Sequence, residues 1–252
     1  MSRSVSATYE MITAMGRLAL VGGQDFNALR PWAGAPKREL RTERGAVDLF
    51  DADSHVVLVR HGIDSYTPAQ LVDHPRNLAA LQEAGCDRVL AICSVGSLHA
   101  ELGVGSFLCP SDFLALGRVD AAFDDERGHV VPAFDPVWRR LVLEAWNTAT
   151  DAPIRDKGLY WQSPGPRFET PAEVRLIANH ADVVGMTMGS ECVAACQLGL
   201  AYAAVCVVDN LANGIGDAPL TREEYEAGHA ANRERLAEAL EAVLPSLSAE
   251  GL

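Results

Sequence analysis

The chain has 252 residues, 48% of them hydrophobic and 22% charged, an ordinary globular composition with room for one large domain or two small ones. A formal net charge of −13 argues against a nucleic-acid backbone or an anionic membrane as partner, because both would repel it. A small anion in a pocket feels the local field instead, and is not excluded.

Residues 1–16 read as an N-terminal extension, and 17–252 as a single domain without repeats or low-complexity tracts. RLALV (17–21) reads as a short buried strand stopping at Gly22-Gly23, and HVVLV (55–59) as another stopping at Arg60-His61-Gly62. The helical pattern in PRNLAALQEAGC closes at Gly85. The strand RVLAIC (88–93) stops at Ser94-Val95-Gly96-Ser97. FLCPSDFLAL gives a further strand and turn, with Pro110 limiting regular pairing. Thr170, Pro171 and Glu173 spell a helix start with a capping box, and Val174, Ile177, Ala178 and Ala181 share its buried face. DVVGMTM (182–188) is a strand. Ser190 is the expected cap of the helix through ECVAACQL, which Gly199 ends. AYAAVCVV (201–208) is a strand stopping at Asp209-Asn210. An amphipathic helix from about Thr221 to Leu244 carries a second capping box, Thr221 with Glu224. Strands alternating with helices, the strands nearly all apolar, predict a mostly parallel, twisted, mixed α/β sheet flanked by helices.

In such sheets ligands bind beyond the carboxyl ends of the strands. Five strand ends carry polar or glycine-rich stops: Gly22-Gly23-Gln24, Arg60-His61, Ser94-Val95-Gly96, Thr187 and Asp209-Asn210. Arg60 offers a planar fork of donors that matches an oxyanion, against the plainer reading of a surface ion pair. Ser94 and Thr187 offer hydroxyls at turns that can cradle an anion, although a single Ser or Thr is more often a cap. Glu169, after Phe168, either favours the helix dipole or accepts an N–H from a flat heterocycle stacked on the ring. Asn210 can donate and accept, although an Asn at a strand end is usually turn chemistry. The six cysteines lie mostly in apolar runs. Cys192 and Cys196 are four apart with no histidine cluster, so a reduced, cytoplasmic protein without metal is expected. LVGGQDF lacks the spacing of a dinucleotide loop, and no P-loop, nucleophile elbow or zinc-protease motif occurs. The N-terminus lacks the apolar core and cleavage site of a signal peptide, and no apolar run reaches membrane-spanning length.

In order along the chain, LVRHG (58–62), RNLAALQEAGCDRVLAICSVGSL (76–98), GPRFETPAEVR (165–175) and VVGMTMGSE (183–191) resemble the trimeric purine nucleoside phosphorylase and methylthioadenosine phosphorylase family. The similarity runs from about residue 17 to 244. The resemblance implies a nucleoside phosphorylase-like fold and phosphorolysis of a purine nucleoside to free purine and a ribose 1-phosphate, with inorganic phosphate as co-substrate and no cofactor. It implies phosphate at Arg60, His61, Ser94 and Thr187, ribose over Met186, and purine against Phe168, Glu169 and Asn210. Glu169 and Asn210 are the residues expected to act on the base. A homotrimer, or a hexamer of two trimers, follows from the same resemblance. In the family the position of Asn210 is Asn in 6-oxopurine enzymes and Asp in adenine-type ones. Asn210 lies 19 residues beyond Glu191, with Asp209 beside it. Inosine, guanosine or 5′-methylthioinosine is therefore the expected substrate class. A methylthioadenosine or 5′-deoxyadenosine phosphorylase is the alternative if Asp209 faces the base. Gln24 stands where the family has Ser or Thr as a phosphate ligand, and Ser65 where methylthioadenosine enzymes carry His. His129 is one residue out of register with the family's inter-subunit histidine. Gln24 motivates a third reading, a purine-binding protein with weak or lost catalysis.

Overall fold

The computed structural model describes residues 16–117, 119–216 and 220–248. The N-terminal extension therefore lies almost wholly outside the described residues. The strands are β1 (Arg17–Gly22), β2 (Lys37–Thr42), β3 (Gly45–Ala52), β4 (His55–Val59), β5 (Cys86–Ser97), β6 (Phe107–Cys109), β7 (Asp112–Leu114), β8 (Ile154–Asp156), β9 (Leu159–Gln162), β10 (Val183–Gly185) and β11 (Ala201–Leu211). The α-helices are α1 (His74–Glu83), α2 (Pro136–Ala149), α3 (Pro171–Ile177), α4 (Met188–Leu198) and α5 (Arg222–Leu247).

All these strands join one mixed sheet, in which β5 is the hub. It pairs in parallel with β1 on one side and β11 on the other, and its last two residues pair antiparallel with β10. β1 pairs in parallel with β4, while the β2–β3 hairpin adds antiparallel strands beyond it. The strand period of two sends alternate residues to opposite faces. Val21, Leu58, Val89, Ala91, Ala204 and Cys206 face Leu78 and Leu81 of α1 and Cys192 and Ala195 of α4. Leu20, Val57, Leu90, Ile92, Val205 and Val207 face Trp138 and Trp146 of α2 and Leu236, Leu240 and Val243 of α5. The sheet is thus covered on both faces, which explains its continuous apolar strands.

Both predicted capping boxes are present, at Thr170/Glu173 and Thr221/Glu224, and Gly199 caps α4 at φ 73°. Other boundaries differ from the sequence reading. β5 runs on through Ser94–Ser97 because β11 and β10 pair with those residues. β11 likewise continues to Leu211 through the polar Asp209-Asn210, with a register shift between Val208 and Asn210. The strand expected over 182–188 is only three residues long, Val183–Gly185. Helix α4 begins at Met188 with Thr187 at its N-cap position, so Ser190 lies inside the helix. The Tyr160 hydroxyl accepts from the N–H groups of Thr187 and Met188, and Gln162 Oε1 accepts from that of Ser190. These bonds make a side-chain cap unnecessary. Pro110 divides β6 from β7, as expected.

Candidate active site

The carboxyl ends of β1, β4, β5 and β11 meet. The Arg60 N–H donates to Gly22 O at 2.8 Å, tying the ends of β1 and β4 together. The Arg60 side chain turns inward and is 4% exposed. Its Nε donates to Glu191 Oε2 at 2.6 Å and its Nη2 to Oε1 at 3.1 Å, while Cys93 Sγ and Ile92 O lie at its rim. Glu191 is fully buried on α4 and also accepts from the Tyr202 hydroxyl at 2.9 Å. Burial pushes its carboxyl up. The Arg60 guanidinium and His74 outweigh that, so it is held well below the usual carboxylate range. The two-point Arg–carboxylate bond fixes the guanidinium plane.

His61, beside it, donates from Nδ1 to Thr67 O at 2.8 Å and stacks on Tyr66. Burial and then the Arg60 charge push it down to about 4. At neutral pH the ring is uncharged and Nε2 carries a lone pair. Gln24, Asp25, Gly62 and Tyr66 line a cavity of about 130 Å³ beside it.

The bulge in β11 decides which way two adjacent polar residues face. Asp209 points toward α5 and is 2% exposed. Its Oδ1 accepts from Asn232 Nδ2 at 2.8 Å; its Oδ2 accepts from His229 Nδ1 at 2.9 Å and from the Ser94 hydroxyl. Asn210 lies opposite Gly96, and its Nδ2 donates to Leu211 O at 2.9 Å. A Cβ on Gly96 would sit 3.1 Å from that nitrogen, so glycine leaves the room the amide occupies. The chain beyond β11 packs on the start of α3. Asn213 Nδ2 donates to Glu169 O at 3.3 Å, and Gly214 meets Pro171.

Phe168 and Glu169 thereby come to the same end of the sheet as Asn210. Phe168 is 36% exposed, its ring tilted against Tyr225 of α5 at 5.9 Å. Glu169 is 9% exposed, and among the described residues nothing hydrogen-bonds its carboxylate. Such a group is costly to cover unless a ligand satisfies it. Met186 packs on Gly165 in the turn leading to Phe168. Thr187 is buried and its hydroxyl makes no capping bond.

The predicted residues therefore all lie at or just beyond strand ends: Arg60 and His61 after β4, Ser94 and Asn210 on the paired ends of β5 and β11, Met186 after β10, Phe168 and Glu169 before α3, and Thr187 at the head of α4. Sequence reasoning did not assign Glu191, Tyr225, His229 or Asn232 to the site. Tyr225, His229 and Asn232 follow the i, i+4, i+7 spacing of one helix face, a signal that could have found them. Among the described residues no group of three or more His, Cys, Asp or Glu side chains could hold a metal ion, and no helix is long and apolar enough to cross a membrane.

Comparison with known proteins gives a consistent picture. The model of the Phosphorylase superfamily matches residues 12–245. A protein of Archaeoglobus fulgidus named a probable 6-oxopurine nucleoside phosphorylase is 33% identical over 79% of this chain and 83% of its own length. One of Methanocaldococcus jannaschii named a probable S-methyl-5′-thioinosine phosphorylase is 34% identical over 70% of this chain and 71% of its own. Among solved structures, methylthioadenosine phosphorylase from Schistosoma mansoni in complex with adenine superposes with a TM-score of 0.79, covering 91% of each chain at 22% identity.

Proposed function

The chain belongs to the Phosphorylase superfamily, and from that membership we propose that it catalyses phosphorolysis of a 6-oxopurine nucleoside, releasing the free purine and a ribose 1-phosphate. The observation that carries the base assignment is that Glu169, whose carboxylate accepts no hydrogen bond among the described residues, and the Asn210 amide lie at one end of the sheet, while both oxygens of Asp209 are engaged elsewhere. A 6-oxopurine presents an N1–H donor to Glu169 and acceptors at O6 and N7 to the amide. A 6-aminopurine presents an acceptor at N1, which an ionised Glu169 repels.

Breaking the glycosidic bond develops positive charge on the ribose and negative charge on the purine. Phosphate beneath the ribose stabilises the first and supplies the attacking oxygen. The Asn210 donor stabilises the second as the C–N electron pair withdraws into the ring. Positioning and preorganised dipoles supply this, one such donor being worth about 2.7–4 kcal/mol of barrier. At the phosphate end Arg60 contributes N–H donors held in place by Glu191. A neutral His61 accepts a hydrogen bond at Nε2 from the P–OH of hydrogen phosphate, which keeps its proton. Thr187 contributes its uncommitted hydroxyl. Ser94 has one hydroxyl proton, now given to Asp209, and joins the phosphate by exchanging that acceptor. A homotrimer in the cytoplasm is part of the same proposal. Exposed Leu71, Leu116, Val131 and Leu176 offer apolar area for such an interface.

The test is base release from inosine, 5′-methylthioinosine and methylthioadenosine, each with and without phosphate. Phosphate-dependent hypoxanthine release with methylthioadenosine inert is the expected result. Adenine release would reverse the base assignment. Nucleoside binding without phosphate-dependent turnover would make Gln24, at the mouth of the phosphate end, the mark of a binding protein.

A further inference from the structure

Helices α3, α4 and α5 each have a threonine at the N-cap position, and two of the three use it alike. Thr170 and Thr221 stand in extended backbone, at ψ 157° and 166°, and each side chain accepts from the N–H three residues on, that of Glu173 or Glu224. One otherwise orphaned N–H of the first turn is satisfied in this way. Thr187, at the head of α4, departs from the pattern. Its ψ is −34°, and its hydroxyl makes no capping bond.

The N–H that Thr187 would cap belongs to Ser190, and it is satisfied from another strand. Gln162 Oε1, on β9, accepts from it at 2.9 Å, and Gln162 Nε2 donates to the Ser190 hydroxyl, so one amide holds one residue at two points. Two residues earlier on the same face of β9, the Tyr160 hydroxyl accepts from the N–H groups of Thr187 and Met188 at 3.1 and 3.4 Å. Strand pairing sets the reach: β9 runs parallel to β10, with Gln162 opposite Gly185, two residues before Thr187. Gly189 leaves the amide its room, since a Cβ there would lie 2.9 Å from Gln162 Oε1. A threonine in the capping conformation commits its oxygen to its own helix. Thr187 is relieved of that duty, and its hydroxyl has no hydrogen bond among the described residues.

We infer that Gln162 is a positioning residue: by capping α4 in place of Thr187, it holds that threonine out of the capping conformation and keeps its hydroxyl available to phosphate. The inference rests on the phosphorylase reading above and deepens it at the phosphate end.

The experiment is kcat and KM for phosphate at saturating inosine, and KM for inosine at saturating phosphate, with melting temperatures alongside. The proteins are the wild type, Gln162→Met, Gln162→Asn, Thr187→Val and the double variant Gln162→Met with Thr187→Val. Methionine offers no adequate acceptor, and asparagine is polar but one methylene too short. Either is expected to free the Ser190 N–H, draw Thr187 into the cap and raise KM for phosphate about 10- to 100-fold, the range of one hydrogen bond to a charged group. KM for inosine, kcat and the melting temperature should change little, because the threonine replaces the amide as cap. Thr187→Val is expected to raise KM for phosphate over the same range. The double variant should raise it no further than Thr187→Val alone, yet melt about 2–4 °C lower, since neither cap remains. Effects on phosphate KM that multiply in the double variant would overturn the inference, because Gln162 would then act by a route other than the Thr187 hydroxyl. An unchanged phosphate KM in both Gln162 variants would overturn it too, as would a rise shared equally by inosine. Absence of phosphate-dependent base release from inosine in the wild type would instead sink the phosphorylase reading on which it rests.

Discussion

Arg60 carries its charge into the protein interior, and Glu191 is the group that makes this tolerable. Removing one partner of a buried pair leaves an uncompensated ion and costs about 3–5 kcal/mol. Glu191→Gln is therefore expected to lower the melting temperature by about 6–20 °C, at about 2–4 °C per kcal/mol for a chain of this size. Arg60→Met with Glu191→Met removes both charges and should melt closer to the wild type. It should nevertheless release no hypoxanthine from inosine, since the guanidinium is gone. If the double variant melted as low as Glu191→Gln, the pair would not be what holds this region together. Asn210 poses a question of donors rather than charge. On the proposed base assignment, Asn210→Asp replaces the amide that would donate to O6 or N7 by a carboxylate that suits an exocyclic amino group. Hypoxanthine release from inosine is expected to fall about 10²- to 10³-fold while adenine release from adenosine rises. Comparing kcat/KM for the two nucleosides checks this, and unchanged base preference would remove Asn210 from the base site.

Helix α5 reaches the site because it packs on β11 backbone to backbone. A Cβ on Gly228 would lie 1.8 Å from the Asp209 carbonyl oxygen, with no flexible tip to move aside. Alanine normally stabilises a helix interior by about 1 kcal/mol relative to glycine. Here the collision wins, because 1.8 Å can be relieved only by shifting the helix. Gly228→Ala is expected to lower the melting temperature and raise KM for inosine, as the His229–Asp209 contact opens. A rise in melting temperature would show that the packing is looser than this. The same helix shows where sequence stops being legible. Tyr225, His229, Asn232, Leu236, Leu240, Val243 and Leu247 form one stripe at helical spacing. Its apolar end reads as core; its polar head reads as a solvent face until β11 is seen beneath it. The capping boxes at Thr170 and Thr221 were legible because their bonds are local. The ends of β5 and β11 were not, because distant strands pair with Ser94–Ser97 and Asn210. Glu169 and Asn210 could be picked out as polar residues flanking apolar segments. The role of Glu191 depends on Arg60, 131 residues away in sequence, and no periodicity carries that.

Across the whole molecule, histidines in different surroundings make stability depend on pH in opposite senses. Burial and then Arg60 hold His61 down to about 4, against an ordinary value near 6.5. Between those values the unfolded chain takes up a proton that the folded chain refuses, so stability falls as pH drops through the window. His55, pushed down by burial and then by Arg17, adds to the same limb. Glu191, held low, adds a further loss below its ordinary range as acid protonates it in the unfolded chain first. His229 runs the other way. Its hydrogen bond to Asp209 outweighs burial and raises it, so its contribution is complete below about 6.5 and fades as pH rises through the raised value. The melting temperature should therefore pass through a maximum near neutrality. His61→Asn, whose amide can keep the bond to Thr67 O without titrating, should flatten the limb between pH 6.5 and 4 and leave the alkaline limb alone. His229→Gln should do the reverse. Melting curves from pH 4 to 9 decide it: an acid limb equally steep in His61→Asn would mean that other groups govern acid stability. An alkaline limb unchanged in His229→Gln would mean that Asp209 does not hold the ring in its charged form.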